Sequence, residues 1–166
     1  MQPEFSKIID TNKLNDEEKI EKITASPSEC KALAKRFKIT DINSFSATIT
    51  LNKEENGDIK VIGEIVANVT LNSIISLEDF EKDIKDSFKV IFTRSYKEDE
   101  SNIDINEDIE PLIGSEIDIG ELASEYLALA IPPFPKKDGE KFAYKAIERI
   151  DEPNDDNPFA VLKNLK

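Results

Sequence analysis

Phe45-Ser46-Ala47-Thr48-Ile49-Thr50-Leu51 runs into Glu55-Asn56-Gly57-Asp58 and then Ile59-Lys60-Val61-Ile62-Gly63-Glu64-Ile65-Val66-Ala67-Asn68-Val69. In the first run Phe45, Ala47, Ile49 and Leu51 alternate with Ser46, Thr48 and Thr50, so an extended chain carries one apolar and one polar face. Asn56-Gly57 is the residue pair best suited to the positive φ angles of a tight hairpin turn. Ile59, Val61, Gly63, Ile65, Ala67 and Val69 then resume the alternation on the return strand. The spacing predicts a β-hairpin over 45–70. Gly63, inside the return strand, predicts a bulge or a close packing point.

Outward from the hairpin, Phe80, Ile84, Phe88, Val90 and Phe92 keep period two, broken at Lys82 and Asp86. They predict a third long strand near 84–93, with a helical start at Leu77-Glu78-Asp79 as a further element. Upstream, Ser26-Pro27-Ser28-Glu29 is a helix start: Ser26 as cap, Pro27 at the first position, Glu29 closing a capping box. Cys30, Leu33, Ala34 and Phe37 fall at i, i+3, i+4 and i+7, a stripe expected to be buried. Lys35, Arg36 and Lys38 complement the dipole at the end of that helix; contact with phosphate is the other reading of this basic cluster. Phe5–Asp10 and Lys19–Thr24 are read as short strands, and Asn12–Glu18 as a turn or a short helix start.

Downstream, Asp118 precedes a second helix, and Glu121 follows three residues later, so a second capping box is expected. Leu122, Ala123, Tyr126, Leu127, Leu129 and Ala130 form its apolar face, and Pro132 and Pro133 stop it. Residues 95–111 read as a mobile acidic loop. Phe142, Ala146 and Ile150 lie at helical spacing, Asp151–Asp156 is a polar break, and Asn157 caps a last helix with Phe159, Leu162 and Leu165 on one face. The expected fold is α+β. A curled antiparallel sheet built on the long hairpin carries two or three packed helices in one domain over 1–166, with flexible segments near 95–112 and 136–156.

The chain has 166 residues, 39% of them apolar, which is enough for a single core. No apolar run approaches the length of a membrane span, and Met1-Gln2-Pro3-Glu4-Phe5 lacks the basic and apolar regions of a signal peptide; the expected compartment is the cytoplasm. The formal charge of −13 repels nucleic acid at long range. Glu98 to Glu125 holds eleven acids and no base, whereas Lys31 to Lys38 holds four bases and no acid. Solvated surface accounts for the acidic stretch; the sharper reading is a basic partner.

Chemistry-bearing constellations are scarce. There is no histidine, so the commonest general base and metal ligand is missing. The lone Cys30 has no Cys or His to share zinc with and lies on an apolar helix face, where burial is the default. The spacings Asp104/Asp108 and Asp118/Glu121 arise by chance among 35 acids. Asp155-Asp156-Asn157 lacks the glycine and terminal glutamate of a calcium loop, and the five glycines are scattered singly, with no phosphate-cradling loop. The expectation is a protein that is not an enzyme and has no cofactor.

The run from Asp118 to Lys137 also resembles the signature of the large ribosomal RNA subunit accumulation protein family (YceD-like), an Asp-Leu-x-Glu-Leu-x-x-Glu-x-Leu-x-Leu-x-x-Pro pattern with a second proline behind it. Asp118, Glu121, Leu122, Glu125, Leu127, Leu129, Pro132 and Pro135 occupy those positions. Pro133-Phe134-Pro135-Lys136-Lys137-Asp138-Gly139 resembles the alphaproteobacterial Pro-Tyr-Pro-Arg-Lys-x-Gly, and Pro158-Phe159-Ala160-Val161-Leu162-Lys163-Asn164-Leu165 resembles that branch's closing motif. The three segments stand in the family's order. The resemblance departs at about Ser73, where the branch's pattern has a cysteine.

The resemblance implies a non-catalytic factor that supports large-subunit ribosomal RNA accumulation and ribosome assembly. Its direct contact would be a large-subunit ribosomal protein or assembly intermediate, with RNA contact left open, no membrane, and a monomeric state. The partner-binding candidates are Glu121, Glu125, Pro132, Pro135, Lys136, Lys137 and Phe159, the two lysines as contacts for ribosomal RNA phosphates. A general acidic interaction or chaperone-like module unrelated to ribosomes is the alternative. A carboxylate hydrolase is disfavoured by the absence of histidine and of a metal cluster.

Overall fold

The predicted hairpin is the centre of the structure and is longer than the alternation alone defines. A computed structural model describes residues 3–95 and 108–141. In chain order it contains β1 (Ile8–Asp10), β2 (Lys19–Thr24), α1 (Pro27–Phe37), β3 (Asp41–Lys53) and β4 (Ile59–Asn72). There follow β5 (Asp79–Thr93), β6 (Asp108–Pro111), β7 (Glu116–Asp118) and α2 (Ile119–Ala130). The class is α+β. An open five-stranded sheet of order β2-β3-β4-β5-β6 is accompanied by a two-stranded pair, β1-β7.

Pairing in the large sheet is antiparallel except between β5 and β6, which run parallel. The turn at Asn56-Gly57 forms as its residues require: Gly57 takes φ +91, and the Asn56 side-chain oxygen accepts from the Asp58 N–H at 3.0 Å. One sheet face is buried by Phe45, Ile49 and Leu51 from β3, by Val61, Ile65 and Val69 from β4, and by Ile84, Phe88 and Val90 from β5. Helix α1 packs against β3, and α2 against β4 and β5.

Gly63 is a close packing point and not a bulge. A Cβ placed there would lie 2.1 Å from the Phe88 ring, so the ring occupies the space that a side chain would need. Tyr126 of α2 stacks on that same ring with centroids 4.1 Å apart. The irregularity in the β3–β4 ladder falls elsewhere, between Ile42 and Ser44.

Helix α1 begins with the full capping box. The Glu29 N–H donates to Ser26 Oγ at 3.3 Å, and the Ser26 N–H donates to a Glu29 carboxylate oxygen at 2.7 Å. Cys30, Leu33 and Ala34 are buried as expected, and loss of solvent pushes the Cys30 thiol up. Phe37 is only half-buried, because Lys38 turns into the left-handed region at φ +58 and the chain leaves the helix there, with Phe37 at the mouth of a groove.

Other expectations change in detail. The first strand spans only Ile8–Asp10, while Phe5 is buried edge-on against Phe45 with centroids 5.5 Å apart. The turn after it is a 3-10 turn at Thr11–Lys13, capped by Asp10. No helix forms at Leu77-Glu78-Asp79. Leu77 has φ +61 in a tight turn, and β5 starts at Asp79. The segment read as loop through 111 ends in a strand, since Asp108–Pro111 pairs with Val90–Thr93. Leu129 is 79% exposed and not part of the apolar face, because it lies on the side of α2 turned away from the sheet. The rest of the acidic loop, the helical spacing beyond Lys141, the polar break at 151–156 and the last helix with Phe159 lie outside the described residues.

The Gly63 contact yields a prediction. Gly63→Ala should destabilise the protein by about 1–3 kcal/mol, because a methyl group there overpacks a ring already sandwiched by Tyr126. Adding Phe88→Leu should recover part of that loss, giving a non-additive pair. Denaturant midpoints of the two single variants and the double variant measure this, and additive losses would contradict the contact.

Candidate functional site

The signature residues converge on α2 and the chain that leaves it. Asp118 caps α2 by accepting from the Glu121 N–H at 3.1 Å, and it also accepts from the Lys7 N–H at 2.9 Å and Ser6 Oγ at 2.5 Å. One carboxylate therefore closes the helix start and holds the N-terminal segment across it. Gly120 makes the crossing possible: a Cβ there would stand 2.8–2.9 Å from the backbone of Phe5, Ser6 and Lys7. The Ile119 N–H donates to the Lys7 carbonyl at 2.9 Å beside it.

Glu121 does not complete the expected capping box. Its two oxygens take a bidentate pair of bonds from Arg36, at 2.8 and 3.0 Å, and Arg36 also reaches Glu4 at 3.0 Å. Two charge-assisted bonds to a planar guanidinium outweigh a single cap bond. The cluster ties the end of α1 to the start of α2, so Arg36 serves an ion pair between helices.

Glu125 stands one turn further on, exposed. Partial loss of solvent, then the negative charges of Glu121 and Glu110, hold its carboxyl above the ordinary 4.5, with Arg36 opposing. Leu129, the next turn on the same side, and Phe134 past the prolines are among the most exposed large apolar residues. Tyr126 points the other way. Its hydroxyl donates to Asp108, which fastens β6 to α2, and burial followed by that carboxylate raises the phenol.

The proline exit is anchored. The Pro135 carbonyl accepts from the Ile74 N–H at 2.9 Å, and Lys137 is ion-paired with Glu78. Ser73 is fully buried. Its hydroxyl donates to Glu140 at 2.5 Å and accepts from the N–H groups of Ile75 and Ser76 at 3.2 Å. Hydrogen bonds from Ser73 and then Ser76 pull the Glu140 carboxyl below its usual range. Pro132 and Pro135 are half-buried, Lys136 is exposed, and Phe159 lies outside the described residues. Glu121 and Glu125 thus stand one turn apart on α2 and the two prolines follow on its exit, with Glu121 and Lys137 already engaged within the chain.

Among the described residues no group of His, Cys, Asp or Glu is arranged to hold a metal ion, and no helix is long and apolar enough to cross a membrane. The arrangement leaves the acid Glu125 and the apolar Leu129 together on the outward edge of α2. Over residues 61–166 the sequence matches the family model for the large ribosomal RNA subunit accumulation protein YceD. The chain belongs to that family. No curated protein and no solved structure matches it.

The YceD match takes in β4 from Val61 onward, β5, β6, β7, α2 and the proline exit. Two of the residues that organise this region escaped sequence reasoning. Gly120 carries no local signal, because its need comes from a backbone distant in sequence. Arg36 looked like a dipole-complementing residue, and its acidic partners lie 32 and 85 positions away. Ser73 did carry a signal, the departure from the family's cysteine, though its bond to Glu140 did not.

The electrostatics of Glu125 predict a pH effect. A carboxyl raised in the folded state binds more protons than the unfolded chain above 4.5, so it subtracts stability as pH rises through that window. Glu125→Gln should therefore stabilise the protein at neutral pH, by at most about 0.5 kcal/mol for so exposed a group. The gain should vanish as pH falls below 4.5. Thermal unfolding of the two proteins across pH measures this, and a variant less stable at neutral pH would contradict it.

Proposed function

We propose that this protein is a non-catalytic factor that supports large-subunit ribosomal RNA accumulation and ribosome assembly in the cytoplasm, acting as a monomer that binds a basic ribosomal component. The observation that carries the reading is the match to the YceD family over 61–166, a family named for large-subunit ribosomal RNA accumulation. The outward edge of α2 supports the choice of partner. Partial loss of solvent, then the like charges of Glu121 and Glu110, disfavour the Glu125 carboxylate, and a basic side chain from a partner favours it. Leu129 and Phe134 flank it with apolar area that the fold itself leaves uncovered.

Glu125→Lys tests this siting, because Glu125 takes no part in the cap or in the Arg36 cluster's hydrogen bonds. Association with large-subunit precursors should weaken on the order of tenfold, and more steeply at low salt. Lys136→Glu tests a contact with ribosomal RNA phosphates; Lys137 is unsuitable because its change also breaks the pair with Glu78. Precursor co-sedimentation and mature ribosomal RNA levels are the readouts. Folded variants that equal wild type in both, with no dependence on salt, refute this siting.

A further inference from the structure

The turn between β4 and β5 holds a leucine that neither its backbone nor its surroundings favour. Leu77 sits at φ +61, in the left-handed region where a Cβ crowds the following carbonyl oxygen, and its side chain is 74% exposed. Glycine or asparagine meets both conditions at less cost. Lys38, the other described non-glycine residue at positive φ, closes α1 and keeps its charge in water. Leu77 has no such reason within the described fold.

Hydrogen bonds hold Leu77 in this conformation. Its N–H donates to the Ser73 carbonyl, its carbonyl accepts from the Asn72 side chain, and the Ser73 N–H donates to the Glu78 carbonyl, each at 2.9 Å. The buried Ser73 hydroxyl accepts from the Ile75 and Ser76 N–H groups inside the same turn. Three ties then fasten the proline exit along it: Ser73 to Glu140, the Ile74 N–H to the Pro135 carbonyl, and Lys137 to Glu78. Ile74, Leu77 and Phe134, all exposed large apolar residues, thus belong to one hydrogen-bonded unit. A rigid backbone that presents apolar side chains to water is built as a binding surface is built.

Charge selects the partner. Residues 73–81 and 132–140, which form this unit, carry Glu78, Asp79, Glu81, Asp138 and Glu140 against only Lys136 and Lys137. Such a surround disfavours phosphate, and it disfavours a second copy of a chain whose net charge is −13. It attracts an apolar surface edged with Lys or Arg. We propose that the β4–β5 turn and the proline exit form a docking surface for a protein segment with an apolar face edged by basic side chains, with Leu77 as the anchor. This surface rests on the reading above, that the protein binds a basic ribosomal component, and it gives that partner a contact outside α2.

Two variants of the full chain separate the anchor from the strain. Leu77→Asn removes the apolar side chain and suits the left-handed turn, whereas Leu77→Ala removes the side chain and keeps the strain. In both, co-sedimentation with large-subunit precursors should weaken on the order of tenfold, and Phe134→Ser should weaken it too. The Tm of Leu77→Asn should equal that of wild type or exceed it by up to about 4 °C. A lower Tm for Leu77→Asn identifies a packing residue and overturns the proposal. Unchanged association of the Leu77 variants, where Glu125→Lys weakens it, overturns this surface and leaves the functional reading standing; unchanged association of all of them overturns both. Binding to protein-free RNA extracted from the same precursors is the last arm. If that binding falls with Leu77→Asn, the contact is with RNA and the proposal is overturned.

Discussion

The Phe88 ring seated on Gly63 sets the position of everything above the sheet. With no side chain at Gly63, the ring drops onto β4 and presents its outer face to α2, where Tyr126 stacks on it with an interplanar angle of 2°. That stack decides where α2 crosses the sheet. From α2 the Tyr126 hydroxyl reaches Asp108 and so brings β6 against β5 in parallel. The placement of one helix and one strand thus follows from a missing methyl group.

The start of α2 is held by a second constraint, the carboxylate of Asp118. It serves the helix cap and the crossing N-terminal segment at once, which Gly120 allows to pass at backbone contact. The residues of the YceD signature divide accordingly. Asp118, Leu122 and Leu127 maintain the fold, Glu121 joins two helices through Arg36, and Pro135 fastens the exit to the β4–β5 turn. Glu125 and Leu129 do none of this and face outward. Such a division is expected where a rigid element presents a surface, because the groups that hold its geometry are different from the groups that meet a partner.

Charge follows the same logic. In a chain of net charge −13 two cations stand where they join elements: Arg36 between α1, α2 and the N-terminal segment, and Lys137 between the proline exit and the β4–β5 turn. Exposed pairs of this kind add little stability individually, but each fixes the orientation of one segment on another. The acids left over, Glu125 among them, give the outer edge of α2 its sign.

The sequence by itself determined the elements whose signals are local. The 45–70 hairpin came from alternation and Asn56-Gly57, α1 from Ser26-Pro27 and its stripe, and α2 from Asp118 and the prolines, since each rests on backbone preference within a few residues. The α+β class follows from those elements together. Only the tertiary structure decided which partner a polar group takes. Glu121 turned from its own cap to Arg36, Ser73 found Glu140, and Phe37 was left at the mouth of a groove because the chain bends at Lys38. Leu129 shows the same limit: its spacing fits an apolar face, but the Phe88–Tyr126 stack turned the other side of α2 to the sheet. Long-range contacts of this sort depend on geometry that no window of sequence contains.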